Sequence, residues 1–396
     1  MATNRIFAYN PTLSVIPGIT NIGTLAYGPN GYNYYNNYGG LTWWGGPDED
    51  LGYCIGTVVP AQNQSTPLGN IGSVEFWRTK TFSETEFTSL ASEITGQSFP
   101  TALSAQTYLN ANSYWSSIVL PLYTFTTFTF TPVGATGIAG PTSLQTQTAY
   151  SAQTFYPTYF SNVSGRQDWT VPLNGSYVIE CVGASGGNGL SGVLGGKAAK
   201  ITGTFTLTQG AVLKLIVGQV GQTQNATYGS GGGGGASYVA NVLTPLIIAG
   251  GGGGGGFYSP TSLAGNPASL TIVGNLGPVN NGNGGDAGSG TGAGGGGGWF
   301  TNGTSSTYGQ VGQSFYNGSG GGLAYTPGNG NGGFGGGAGA GFSAGGGAGG
   351  YSGGDGGNNA AAAPPAGGGG SYNTGTSPLA SLMTTAGNGY ITITKL

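Results

Sequence analysis

Leu246-Ile247-Ile248-Ala249 runs straight into seven glycines, Gly250 to Gly256, and then into Phe257-Tyr258 (LIIAGGGGGGGFY). A short apolar run with β-branched residues is the signal of a buried strand. An unbroken glycine run is the composition of a flexible linker. Either the chain stops being ordered at Gly250, or the glycines build an ordered structure that admits no side chain.

The surrounding composition favours order. The chain has 396 residues and 88 glycines, 17 of them in residues 1–165 and 71 in residues 166–396, and that step marks a domain boundary. The strict period of collagen is missing. Disordered segments combine low hydrophobicity with high charge, whereas this chain is 37% hydrophobic and 5% charged, and between Lys214 and Lys395 only Asp286 and Asp355 carry charge. The glycine runs recur as Gly231–Gly235, Gly250–Gly256, Gly294–Gly298, Gly335–Gly337, Gly345–Gly347 and Gly367–Gly370, each bordered by Ala, Ser or aromatic residues. Polyglycine II offers them a structure, with three residues per turn, a rise of ~3.1 Å and no internal hydrogen bonds. Its amides point outward, so side-chain-free helices laid side by side satisfy one another. Ordering glycine is costly, so one such helix is unstable, whereas a close-packed bundle of six or more can be stable. The competing expectation is disordered glycine loops between strands.

Strand signals surround these runs. DWTVPLNGSYVIECVGASGG predicts two strands about an Asn174-Gly175 turn, with Tyr177, Ile179 and Cys181 on one face. KAAKITGTFTLTQGAVLKLIVGQ predicts two more about Gln209-Gly210, with Leu213, Leu215 and Val217 opposite Lys214. ASYVAN, TPLIIAGG and the closing GYITITKL (Gly389 to Leu396) add others. Residues 166–396 therefore read as a jelly-roll-like β-sandwich into which the glycine segments are inserted.

Residues 1–120 read as a small α+β domain. Gly31 to Gly56 alternates aromatics with turn residues, and Ser83-Glu84-Thr85-Glu86 is a capping box. After the box, Phe87, Leu90, Ala91 and Ile94 make a helical stripe that ends at Gly96. Thr101 to Asn112 predicts a second helix with Ala105, Tyr108 and Leu109 inward. Residues 121–165 are expected to be a connector. In its YTFTTFTFT stretch (Tyr123 to Thr131) the aromatic alternation slips one place at Thr126-Thr127, which fits a β-bulge or two strand pieces. So aromatic an edge needs a partner strand, expected from a sister chain. GATGIAGPT (Gly134 to Thr142) reads as irregular linker.

Several functions are disfavoured. Eight Lys and Arg without a cluster do not track a phosphate backbone. Histidine is absent, which removes the commonest general base and zinc ligand. Cys54 and Cys181 are too few for a disulfide framework or a structural metal site and read as buried thiols. The start MATNRIFAYN lacks the apolar core of a secretory signal, and no 18-residue apolar run predicts a membrane span. PDED (Pro47 to Asp50) lacks calcium-loop spacing, and Glu84, Glu86 and Glu93 fit a helix start better than a catalytic pair. No cofactor, metal or catalytic residue is expected. The one acid pair a polysaccharide-cleaving enzyme would have in most of the distal region is Asp286 and Asp355.

The succession WTVP…GSYVIECVGASGG, GSGGGGGASYVA, LIIAGGGGGGG, GGFGGGAGAGFSAGGGAGGYSGG and GGGGSYN…GNGYITI resembles the glycine-rich extracellular domain of anaplastic lymphoma kinase and its relatives, and glycine-rich modules of viral and phage surface proteins. The resemblance covers about residues 166–396 and implies a TNF-like β-sandwich carrying a polyglycine-II bundle. No kinase accompanies it, so receptor signalling is not implied. GGLTWWGGPDEDLGYCIG, VEFWRT and QTYLNANSYW resemble the leading domains of phage tail proteins. Together these imply a bacteriophage virion protein assembled in the host cytoplasm: a homotrimeric tail-fibre or tip adhesin. Residues 1–120 would dock to other virion proteins, and residues 166–396 would bind a host-surface glycan or protein. Tyr258, Trp299, Phe300, Tyr308, Phe315, Tyr316 and Tyr325, set in glycine loops beside Asn and Ser, are the expected receptor-binding residues; the alternative is that they pack. The alternative function is a purely structural capsid or baseplate decoration protein.

Overall fold

A computed structural model describes residues 122–396 apart from 224–228, 259–260, 276–280, 326–327 and 360–363. Before these it describes strands between 36 and 56, residues 96–101 and the single positions Thr88, Ser92, Ser104, Ala105 and Tyr108. The chain divides into two units, Met1–Leu120 and Pro121–Leu396.

In the first unit β1 (Asn36–Tyr38), β2 (Leu41–Gly45) and β3 (Gly52–Gly56) form an antiparallel meander. Thr88 and Ser92 are helical, and Gly96, at φ +70°, donates its N–H to Ser92 O (2.8 Å), the expected helix stop. The Ser83 capping box and the Phe87, Leu90, Ala91, Ile94 stripe lie outside the described residues. In the second predicted helix, Thr101 and Ser104 each donate a backbone N–H to the other's hydroxyl, and Ala105 is fully buried.

The second unit is a mainly β structure. One sheet has five antiparallel strands, β15 (Thr376–Leu382), β8 (Ala199–Leu207), β7 (Gly175–Val182), β16 (Tyr390–Lys395) and β4 (Thr127–Phe130), in that order. The other has six: β14 (Tyr372–Asn373), β11 (Thr244–Ala249), β10 (Ser237–Asn241), β9 (Val212–Ile216), β6 (Arg166–Thr170) and β5 (Phe160–Val163). Phe130, Tyr177, Ile179, Cys181, Ile201, Ile391 and Ile393 of the first pack on Trp169, Leu213, Leu215, Val239 and Ile247 of the second, the face-to-face packing of a β-sandwich. Cys181 is a buried thiol whose Sγ donates to Ser237 O (3.3 Å), and burial pushes its pKa up; the Cys54 side chain is outside the described residues.

Two local expectations change. The Asn174-Gly175 and Gln209-Gly210 turns join strands of different sheets, because Trp169 and Val171 before the first turn face Tyr177 and Ile179 after it across the core. The expected connector, 121–165, is built into this unit. It supplies β4, β5 and helix α1 (Ser143–Tyr150), and it puts Tyr123, Phe130, Tyr150, Phe155 and Phe160 into the core. The aromatic strand pairs on one side with β16 of its own chain, Ile391↔Phe130 to Thr394↔Thr127, and ends the sheet on the other. It begins at Thr127, the place where the alternation slips. Helix α1 starts at a capping box of Thr142 and Gln145.

The glycine segments continue the strands. The β7–β8 ladder reaches Val182↔Lys200; beyond it Gly183 N–H bonds Ala199 O and Gly186 N–H bonds Gly196 O. The β10–β11 ladder reaches Ser237↔Ala249; beyond it Gly234 N–H bonds Gly252 O and Gly231 N–H bonds Gly255 O. Partners recur every two residues in the strands and every three past them. That change of period at Gly250 is what the LIIAGGGGGGG junction encodes.

Candidate functional site

The platform that carries the site is a lattice of backbone amides. Gly251 and Gly254 donate to Gly349 and Gly346, Gly252 and Gly255 to Ala184 and Gly187, and Gly253 to Asn266. The same segment accepts from Gly196 and Ala199, from Gly231 and Gly234, and from Gly369. Residues 293–298 repeat the pattern: Ala293 and Gly296 donate to Gly357 and Gly354, Gly294 and Gly297 to Gly339 and Gly336, Gly295 and Gly298 to Thr304 and Thr301, over 2.8 to 3.2 Å. The three-residue repeat and the outward amides are those of polyglycine II. A Cβ on Gly252 or Gly296 would lie under 3.0 Å from backbone atoms of Gly196 or Ala348.

Seven aromatic residues were expected to reach outward from this region, and the structure divides them. Trp299 (1% exposed) and Phe315 (7%) are buried, with rings stacked at 4.1 Å, and with Phe334 they pack on Ile216, Tyr238, Ala240 and Ile248. The six-stranded sheet is thus covered on both faces, by the partner sheet and by aromatics from the glycine segments. Trp299 and Phe315 anchor the bundle and are not displayed at the surface. Tyr238 adds a hydrogen bond from its hydroxyl to Gly350 O (3.1 Å).

Their sequence neighbours point the other way. Phe300 is 48% and Tyr316 46% exposed, their ring centroids 5.9 Å apart, and Tyr316 stands edge-on to Trp299 at 5.8 Å. Each adjacent pair, Trp299-Phe300 and Phe315-Tyr316, therefore has one ring for anchorage and one for display. Asn302 Oδ1 accepts from Ser314 N–H and from Asn317 Nδ2, both at 2.9 Å, tying the two loops together. Phe300 N–H donates to Gly282 O (2.7 Å), and the Phe300 ring lies where a Cβ on Gly282 would be. A second pair, Tyr308 (half-buried) and Tyr325 (44% exposed), meets edge-on at 4.4 Å. Tyr258 ends β12 (Gly256–Tyr258), which pairs with β13 (Thr261–Leu263); its side chain is outside the described residues. Composition alone did not separate anchors from displayed rings, because both kinds sit in the same glycine-rich surroundings.

Asp286 and Asp355 are neighbours. Asp286 N–H donates to Asp355 Oδ1 (2.8 Å), and burial raises the Asp355 carboxyl to about 6, with the nearby Asp286 charge adding to the rise. Neither acid lines the three grooves described in this unit. Among the described residues no group of three or more Cys, Asp or Glu could hold a metal, and no helix is long and apolar enough to cross a membrane.

No family model matches the chain. Over 110 residues it is 32% identical to the leukocyte tyrosine kinase receptor of Mus musculus, a relative of anaplastic lymphoma kinase. That similarity covers 27% of this chain and 12% of the receptor, so it bears on a short part of each and not on the receptor as a whole.

Proposed function

We propose that the chain is a bacteriophage virion protein, a fibre or tip adhesin that docks by residues 1–120 and recognises the host surface with its glycine-rich sandwich. The observation that carries this reading is the exposed Phe300–Tyr316 pair, braced by the buried Trp299–Phe315 stack on a lattice of backbone hydrogen bonds. Aromatic faces give contact area at little entropic cost, and a rigid base leaves little further freedom to lose on binding. Asn302 and Asn317 place amides beside the rings, and the near-absence of charge in the region suits a neutral ligand such as a glycan or an uncharged protein loop. The partial likeness to a protein named as a receptor is in keeping with surface recognition; no kinase activity is proposed for this chain.

The test is binding of the labelled chain to a panel of intact bacterial cells, together with gold-labelled antibody against residues 166–396 on particles. Binding to a subset of cells, lost in Phe300→Ala/Tyr316→Ala with melting unchanged, is expected, as is label at the distal end of the particle. Binding that survives the double substitution would remove the ring pair from the site. Label on the capsid, without cell binding, would replace the adhesin with a decoration protein.

A further inference from the structure

We propose that β15 is the strand through which two copies of this chain join, edge to edge across a two-fold axis. β15 is the terminal strand of the five-stranded sheet, and all seven of its residues are exposed, Leu379 by 69%. The other terminal strands are shorter: β4 and β5 have four residues, β14 has two, and α1 packs against β5. An unpaired edge is a template for another chain, and proteins guard it with charge, proline, a bulge or short length. Here Pro378 and a register shift between Thr376 and Leu379 guard the first half only. From Leu379 to Leu382 the strand pairs regularly with Thr202 to Ala199 and carries no charge.

The phase of that ladder says which groups are free. Met383 N–H donates to Ala198 O (2.9 Å) just past the strand end. Hydrogen-bonded positions alternate in an antiparallel ladder, so Leu379 and Ser381 face β8, and Ala380 and Leu382 turn their N–H and C=O outward. Beside the strand lies a groove of about 540 Å³ lined by Ile201, Leu270, Ile272, Tyr372, Pro378 and Leu379, with Leu270 40% and Ile272 42% exposed.

A second copy is the occupant that fits. Two identical strands meeting antiparallel are self-complementary about a dyad, so each copy's Ala380 and Leu382 supply what the other's lack. Neither β15 nor the groove lining holds a charged residue, and Lys200, opposite Ser381 on β8, is ion-paired with Glu180 (2.7 Å). The result is a continuous ten-stranded sheet with Leu379 and the groove shielded from water. This inference does not depend on host recognition, and it replaces the homotrimer expected from the sequence with a two-fold joint.

The experiment is light scattering on the full chain after size exclusion, across a range of concentrations. The wild type is expected at an even copy number. Leu379→Glu, which places a charge at the joint, should halve the mass. Ala380→Pro should also halve it, because the N–H it deletes is not used by β8. Amide exchange should show Ala380 and Leu382 protected in the wild type and exposed in Leu379→Glu. A monomeric or odd-numbered wild type overturns the proposal. So does a Leu379→Glu variant that keeps the wild-type mass, or wild-type amides at 380 and 382 that exchange freely, as they would if a different protein normally covered this edge.

Discussion

Trp169, buried completely in the sandwich, meets its surroundings through its ring: Phe125 lies at 5.0 Å, Phe130 at 6.1 Å and Tyr177 at 6.4 Å. Gly252, also buried, meets its surroundings through its N–H, which donates to Ala184 O, and its C=O, which accepts from Gly234 N–H, with Gly196 packed where a side chain would go. In the sandwich, apolar area removed from water opposes chain entropy. In the bundle there is almost no side-chain area to bury, and the completeness of amide pairing takes its place. A side-chain core adjusts to small changes of shape, because rotamers and neighbours shift. A core of backbone has no rotamers to shift.

The sharpest break in that comparison is a single methyl group. Gly252→Ala is expected to destabilise the unit by about 4 kcal/mol or more, beyond the usual range for one substitution, because a Cβ there meets backbone that is itself hydrogen-bonded. Gly387→Ala, whose Cβ would find nothing within 4 Å, should stay within about 0.5 kcal/mol. Denaturant unfolding of both variants checks the contrast. Equal effects would mean that the bundle yields like a side-chain core.

Trp299→Ala acts where the regions join, deleting the ring stacked on Phe315 and packed with Tyr238. The expected cost is about 3 kcal/mol, the low end for truncating a buried aromatic. Amide exchange at Gly294–Gly298 should speed up more than exchange at Ile391 or Ile393, as the bundle loosens before the sandwich. Within the sandwich, Ile393→Val should cost only about 1 kcal/mol and leave bundle exchange unchanged. The same measurement separates the two cases.

Much of this division was legible in the sequence. The glycine runs, their aromatic borders and the missing charge between Lys214 and Lys395 already argued for lateral packing, and the inward residues of β7 and β9 fell where alternation put them. The role of residues 121–165 was not legible. The threonines alternating with Phe128 and Phe130 give a strand with one aromatic face, but only the long-range pairing with Ile391 and Ile393 shows that this face is core. Thr142 and Gln145 stand at capping-box spacing, a helix-start signal that reading Gly134 to Thr142 as irregular linker missed. The split of Trp299 from Phe300, and of Phe315 from Tyr316, depends on which side of the lattice meets β10 and β11, a tertiary fact that no local period contains.

The smallest expected effect is a pH dependence, and it asks whether bundle and sandwich unfold as one. Burial lifts the Asp355 carboxyl from 3.8 to about 6, the Asp286 charge adds to the rise, and the hydrogen bond from Asp286 N–H opposes it. The folded chain therefore keeps a proton on Asp355 that the unfolded chain has already lost. Stability from this group is full below about pH 4, falls as pH rises towards 6, and is flat above. The slope is shallow, since Asp355 is only part-buried and solvent screens it. Asp355→Asn keeps an oxygen for Asp286 N–H and removes the titration, so it should abolish the slope and raise stability slightly at pH 7. Read by amide exchange, a slope seen at Gly296 and also at Ile391 makes the two regions one cooperative unit. A slope confined to Gly296 makes the bundle a separately melting cap whose hydrogen bonds open while the sandwich core stays closed.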